Sequence, residues 1–164
     1  MNHLVQMAYE YYNWKGYLVK NNIHVGKRKQ GGYEMELDIV AYNPNSKHLI
    51  HIETSLDADS WERRRERYSK IFSIGEKYIF FEVFTWLKKD EKIDQLIVGI
   101  NKINNGLLNG IKIIYVGEFT GIIINEFIKE GKANKKAIPE QFLILRTIQY
   151  CFCGYNNKPI MVEK

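Results

Sequence analysis

Glu36-Leu-Asp-Ile-Val-Ala-Tyr-Asn-Pro-Asn-Ser-Lys-His-Leu-Ile-His-Ile-Glu-Thr-Ser55 reads as two strands joined by a turn. From Tyr33 on, Tyr33, Met35, Leu37, Ile39 and Ala41 alternate with Glu34, Glu36, Asp38, Val40 and Tyr42, the period of two that marks a strand. Asn43-Pro-Asn-Ser46 carries turn residues. The return segment, His48 to Ser55, sets Ile50 and Ile52 on one face and Leu49, His51, Glu53 and Ser55 on the other. Pairing about the turn brings Asp38 and Glu53 near one another, a carboxylate on each strand.

Upstream, Leu4, Met7, Ala8, Tyr11, Trp14 and Leu18 recur at three- and four-residue spacing, which predicts an amphipathic helix from Leu4 to Leu18 with Glu10 on its flank and Asn21-Asn22 as the stop. A short extended segment is expected at Ile23 to Val25, then a basic loop, Gly26-Lys-Arg-Lys-Gln-Gly-Gly32, in which Gly31 and Gly32 make a turn. Downstream, Asp59-Ser-Trp-Glu62 has the form of a capping box with Asp59 as N-cap, opening a helix whose Trp61, Arg65, Tyr68 and Phe72 share a face. The remaining expectations are a strand over Lys77 to Phe84, a helix over Asp90 to Asn105 and a strand over Gly110 to Val116. Two helices follow, at Ile122 to Lys129 and Pro139 to about Cys153, separated by a Lys-rich loop. Pro139 suits a first helical position and Gly154 a stop. The order is that of an α/β sandwich, a mixed sheet flanked by helices, because the opening strands form a meander.

The 164 residues, 45% of them hydrophobic, suit one domain with a core over residues 4–116 and a helical extension over 117–164. Lys and Arg number 24 against 19 Asp and Glu, a net charge of +5 that favours a polyanionic partner. Cys151 and Cys153 have no second pair, which excludes a four-cysteine zinc site and a disulfide framework, and they are expected as buried or half-buried thiols in a reducing compartment. The N-terminal residues lack a basic then apolar leader pattern, and no apolar run reaches the roughly 18 residues of a membrane span. A cytoplasmic location and no membrane partner are the expectation.

Glu34, Glu36 and Asp38 share one face of a strand, where like charges repel unless a cation sits among them. Mg²⁺ or Mn²⁺ is the usual hard cation for carboxylate and carbonyl oxygens, and the Thr54 carbonyl could add a ligand to Asp38 and Glu53. The competing reading is a solvated acidic face. Lys27, Arg28 and Lys29 before the acidic strand, and Arg63, Arg67 and Lys70 at helical spacing after Glu53, could hold a phosphate backbone. Against that, Glu62, Glu66 and Lys70 follow the spacing of an exposed, charge-laced helix. His51 could orient a carboxylate or a water, although a lone strand histidine is more often structural.

Glu36-Leu-Asp-Ile-Val-Ala and His51-Ile-Glu-Thr-Ser together resemble the PD-(D/E)XK nuclease superfamily, the restriction-endonuclease-like three-layer sandwich, and are most similar to its Holliday-junction-resolvase and Mrr-like branches. There a helix leads to a strand with an acidic metal ligand, a turn, a strand bearing E-x-K, and a helix. The resemblance implies a Mg²⁺-dependent DNA endonuclease, with Asp38 and Glu53 as metal ligands, Glu36 and Glu10 as further acidic candidates, and commonly a homodimer. It covers residues 4–84. Ser55 stands where the family carries its lysine and supplies no positive charge. Lys70, Arg63 and Arg67 are the local cations that could replace it. A nuclease fold that lost catalysis and kept nucleic-acid or protein binding is the alternative, and a small α/β domain with a solvated acidic hairpin is the third reading.

Overall fold

The computed structural model describes residues 2–55, 59–99, 107–130 and 136–153. The chain divides into two compact units, Met1–Tyr115 and Val116–Lys164. The first holds helix α1 (His3–Trp14), strands β1 (Leu18–Lys27), β2 (Tyr33–Asn43) and β3 (His48–Ser55), helix α2 (Trp61–Tyr78), and strands β4 (Ile93–Gly99), β5 (Leu107–Leu108) and β6 (Ile111–Tyr115). The second holds helices α3 (Val116–Glu130) and α4 (Leu143–Cys153). The fold is α/β, with a mixed six-stranded sheet in the order β1-β2-β3-β4-β6-β5. The β1-β2-β3 meander is antiparallel, whereas β3, β4 and β6 run parallel. Among the described residues, no helix is long and apolar enough to cross a membrane.

The hairpin at the centre folds as its alternation predicts. Asn43 Oδ1 accepts the N–H groups of Asn45 and Ser46, at 2.9 and 3.1 Å, and so closes the turn between β2 and β3. Ile39 faces Ile52 and Val40 faces His51 across the ladder. Val40, Tyr42 and Leu49 join Tyr68, Phe72 and Ile79 in one core cluster. The opposite pleat, Ile39, Ala41, Ile50 and Ile52, is buried outside that cluster, and α1, which packs on β1 to β3, covers it. Both faces of the sheet are therefore closed at its middle.

Several elements differ from the sequence expectation, among them α3, which begins at Val116 and not at Ile122. Helix α1 ends at Trp14 and not at Leu18, because Gly16 takes a φ of 80° and caps it: Gly16 N–H donates to Asn13 O and Tyr17 N–H to Tyr12 O. Leu18, Asn21 and Asn22 then belong to β1, which is ten residues long. The expected strand over Lys77 to Phe84 is instead the end of α2 continued by a π-helical turn, Ile79–Val83. Its aromatic and β-branched residues suit a strand, but Ile79, Phe80 and Val83 are buried at helical spacing. The expected helix over Asp90 to Asn105 is strand β4 as far as Gly99, and its remainder lies outside the described residues. Leu96, Ile97 and Val98 are buried in succession, as in a central strand covered on both sides, and a run with that composition fits either period. The N-cap of α2 is Ser60, whose hydroxyl accepts Arg63 N–H, while Asp59 pairs with Arg67 at 3.7 Å.

In the second unit, Phe119, Ile123 and Phe127 are buried at four-residue spacing on α3, and α3 packs with α4. Helix α4 begins at Leu143, so Pro139 precedes it, and Gly154 and most of the Lys-rich loop lie outside the described residues. Buried Gln149 accepts Ile138 N–H and donates to Lys136 O, both at 2.9 Å. Cys153 is half-buried, but Cys151 is exposed, since two residues along a helix turn the side chain by about 200°.

Candidate metal centre

The ladder between β2 and β3 runs as far as Ile39 and Ile52. Beyond them the carboxylates of Asp38 and Glu53 take over the backbone. Asp38 N–H donates to Glu53 Oε1 at 3.1 Å, and Thr54 N–H donates to Asp38 Oδ2 at 2.7 Å. The Thr54 hydroxyl donates to the same Oδ2 at 2.8 Å and accepts from Asn2 Nδ2 at 3.0 Å. Asn2 also caps α1, its Oδ1 accepting Leu4 N–H at 2.9 Å. One chain of bonds therefore fixes the start of α1, the end of β3 and the Asp38 carboxylate.

Asp38 and Glu53 line a cleft of about 710 Å³ with Glu36, Thr54, Arg67 and Tyr68. Glu53 is only 4% exposed. Burial pushes its carboxyl above the usual carboxylate range and nearby Asp38 raises it further, while the hydrogen bond from His51 opposes both. His51 is fully buried, and its Nε2 stands 2.8 Å from Glu53 Oε1, to which the Nε2–H tautomer donates when the carboxylate is ionised. Among the described residues, the hydrogen bonds to Asp38 fall on Oδ2 and those to Glu53 on Oε1.

The expected acidic face is thus divided. Glu34 is held at the far end of β2 by the Tyr78 hydroxyl at 2.6 Å and Lys77 at 3.5 Å, and the Tyr78 bond, followed by the Lys77 charge, keeps its carboxyl below the ordinary range. Glu36 lines the cleft and lies 3.6 Å from His24 of β1. Glu10 is 1% exposed and accepts Gln6 Nε2–H at 2.9 Å, and it does not line the cleft.

Ser55 is buried at the end of β3, outside the cleft lining. Of the three cations considered as its replacement, Arg67 lines the cleft, whereas Arg63 and Lys70 are exposed elsewhere on α2. Arg67 donates to the Tyr68 hydroxyl at 3.0 Å. Lys27, Arg28 and Lys29 are exposed at the end of β1 and in the tight turn closed by Arg28 N–H to Gly32 O, away from the cleft lining. The sequence reading missed Asn2, the Thr54 hydroxyl and Tyr68. An N-cap search would have found Asn2, which directly precedes the first helical stripe.

Among the described residues, no three His, Cys, Asp or Glu side chains form a metal-binding group. Mg²⁺ requires less, being held through one or two carboxylates with waters completing its shell. Two carboxylates in one cleft, each with its protein bonds gathered on one oxygen, fit that requirement. No family model, no curated protein and no solved structure matches the chain.

Proposed function

We propose that the chain is a metal-dependent DNA endonuclease with a restriction-endonuclease-like fold, in which Asp38 and Glu53 hold Mg²⁺ or Mn²⁺. The observation that carries this reading is the meeting of Asp38, Glu53 and Arg67 in one cleft at the point where β2 and β3 part. The order of α1, the acidic strand, the turn, the strand ending in Glu53-Thr-Ser55 and then α2 agrees with the order of the PD-(D/E)XK superfamily that the sequence resembles. The positive net charge suits a polyanionic substrate.

A divalent cation held by Asp38 and Glu53 would supply positive charge to a phosphate oxygen and would acidify water. The chain's own residues do the rest. Thr54 fixes the Asp38 carboxylate through two bonds. Asp38 N–H fixes Glu53 Oε1. Arg67 supplies the fixed positive charge that Ser55 does not, in a geometry suited to phosphate oxygens. The exposed Lys27, Arg28, Lys29, Arg63 and Lys70 hold the DNA backbone electrostatically.

Incubating the protein with supercoiled and branched DNA and Mg²⁺ or Mn²⁺ tests this, with Asp38→Ala and Glu53→Ala alongside. Cleavage by the wild type alone is expected, and equal cleavage by all three proteins overturns the site. The second reading, a nuclease fold that binds nucleic acid without cutting it, is favoured by the burial of Ser55 where the family has a lysine. Salt-sensitive DNA binding with no cleavage in either metal would select it.

A further inference from the structure

We infer that His51 is the positioning residue for Glu53, locking one carboxylate oxygen so that the other is presented to a divalent cation; this rests on the metal-centre reading above. His51 lies two residues before Glu53 on the same pleat of β3, and its Nε2 stands 2.8 Å from Glu53 Oε1. The ring is clamped by α2. Phe72 meets it edge-on at 4.7 Å between centroids. On the next turn of the helix, a Cβ at Gly75 would stand 2.6 Å from both Cε1 and Nδ1 of His51.

Packing alone does not explain a histidine in this slot. Its Nδ1 is buried and has no hydrogen-bond partner among the described residues, a cost that a phenylalanine or leucine would avoid. The bond to Glu53 is what the imidazole adds. Asp38 N–H reaches the same Oε1, so two groups hold one oxygen of Glu53, one from the neighbouring strand and one from within β3. Outer partners of this kind set ligand orientation in metal sites. Gly75, which is unfavourable within a helix, is accounted for by the same ring.

The test is Mn²⁺ binding to the full chain, followed by titration calorimetry or electron paramagnetic resonance, for the wild type, Asp38→Asn, His51→Phe and His51→Gln. The inference predicts that His51→Phe, with its fold verified by circular dichroism, weakens Mn²⁺ binding about 10-fold or more, and that His51→Gln, which restores an N–H donor, recovers most of the loss. Wild-type affinity in His51→Phe overturns the inference while leaving the metal centre standing, and so does equal loss in both His51 variants. Absence of Mn²⁺ binding by the wild type, or binding insensitive to Asp38→Asn, overturns the centre and this inference together. Should His51→Phe fail to fold, Gly75→Ala takes its place: a methyl there displaces the ring from Glu53 and must weaken Mn²⁺ binding, and unchanged affinity overturns the inference.

Discussion

Asp38 and Glu53 face each other across two diverging strands, and each is tied to the backbone of the opposite strand: Asp38 N–H to Glu53 Oε1, and Thr54 N–H to Asp38 Oδ2. The two carboxylates thus replace ladder bonds at the point where the sheet opens into the cleft. The bonds give both carboxylates a structural role, the proposed function adds a chemical one, and substitution separates the two.

Asp38→Ala removes the acceptor for two Thr54 donors and is expected to cost about 1–3 kcal/mol. Asp38→Asn keeps an oxygen there and should cost much less, while removing the charge. Urea denaturation of both variants checks the difference, and DNA cleavage should be lost in both.

Burial raises the Glu53 carboxyl in the folded state. The sign follows: its contribution to stability is fully present below the unfolded value of about 4.3 and is lost as pH rises through the higher folded value. At neutral pH, Glu53→Gln removes that loss and should raise Tm. Below about pH 4 the two proteins should converge. Thermal unfolding from pH 4 to 8 measures this, and a variant less stable than wild type across the whole range contradicts it.

Gly75→Ala should destabilise the wild type by about 1–3 kcal/mol through overlap with His51. In a His51→Ala background the overlap is gone, and the same change should stabilise by up to about 1 kcal/mol through helix propensity. A double-mutant cycle by chemical denaturation reads the reversal.

Glu34 is tied to Tyr78 outside the cleft, so Tyr78→Phe should lower stability slightly and leave cleavage and Mn²⁺ affinity unchanged. A change in metal affinity would show that Glu34 reaches the centre.

Arg67→Ala is expected to lower kcat by about 10²-fold or more, as removal of a charge donor at the reacting group does. Lys70→Ala, exposed on the same helix, should alter DNA affinity and its salt dependence with at most a small change in kcat. Single-turnover cleavage by the two variants distinguishes them.

The hairpin and its two carboxylates were legible in the sequence because alternation, turn residues and spacing agree there. Lys77 to Val98 was not. Tyr78-Ile-Phe-Phe carries strand-forming side chains on the end of a helix, and Ile93, Leu96 and Ile97 fit a helical stripe while lying in a strand covered on both faces. Short apolar runs satisfy both periods, and tertiary burial decides between them. Gly16 is a readable helix stop, but Leu18 continues the apolar stripe beyond it. At the site, the choice among Arg63, Arg67 and Lys70 depended on the angle at which α2 lies on the sheet, which spacing within the helix does not contain. The His51 clamp likewise depended on Gly75 lying opposite it, a contact across 24 positions of the chain.

The most direct measurement is a crystal soaked in Mn²⁺ and examined by anomalous diffraction. The account predicts one peak shared by Asp38 and Glu53, with the Thr54 bonds to Asp38 retained. A peak elsewhere, or none beside these carboxylates at a saturating Mn²⁺ concentration, would contradict it.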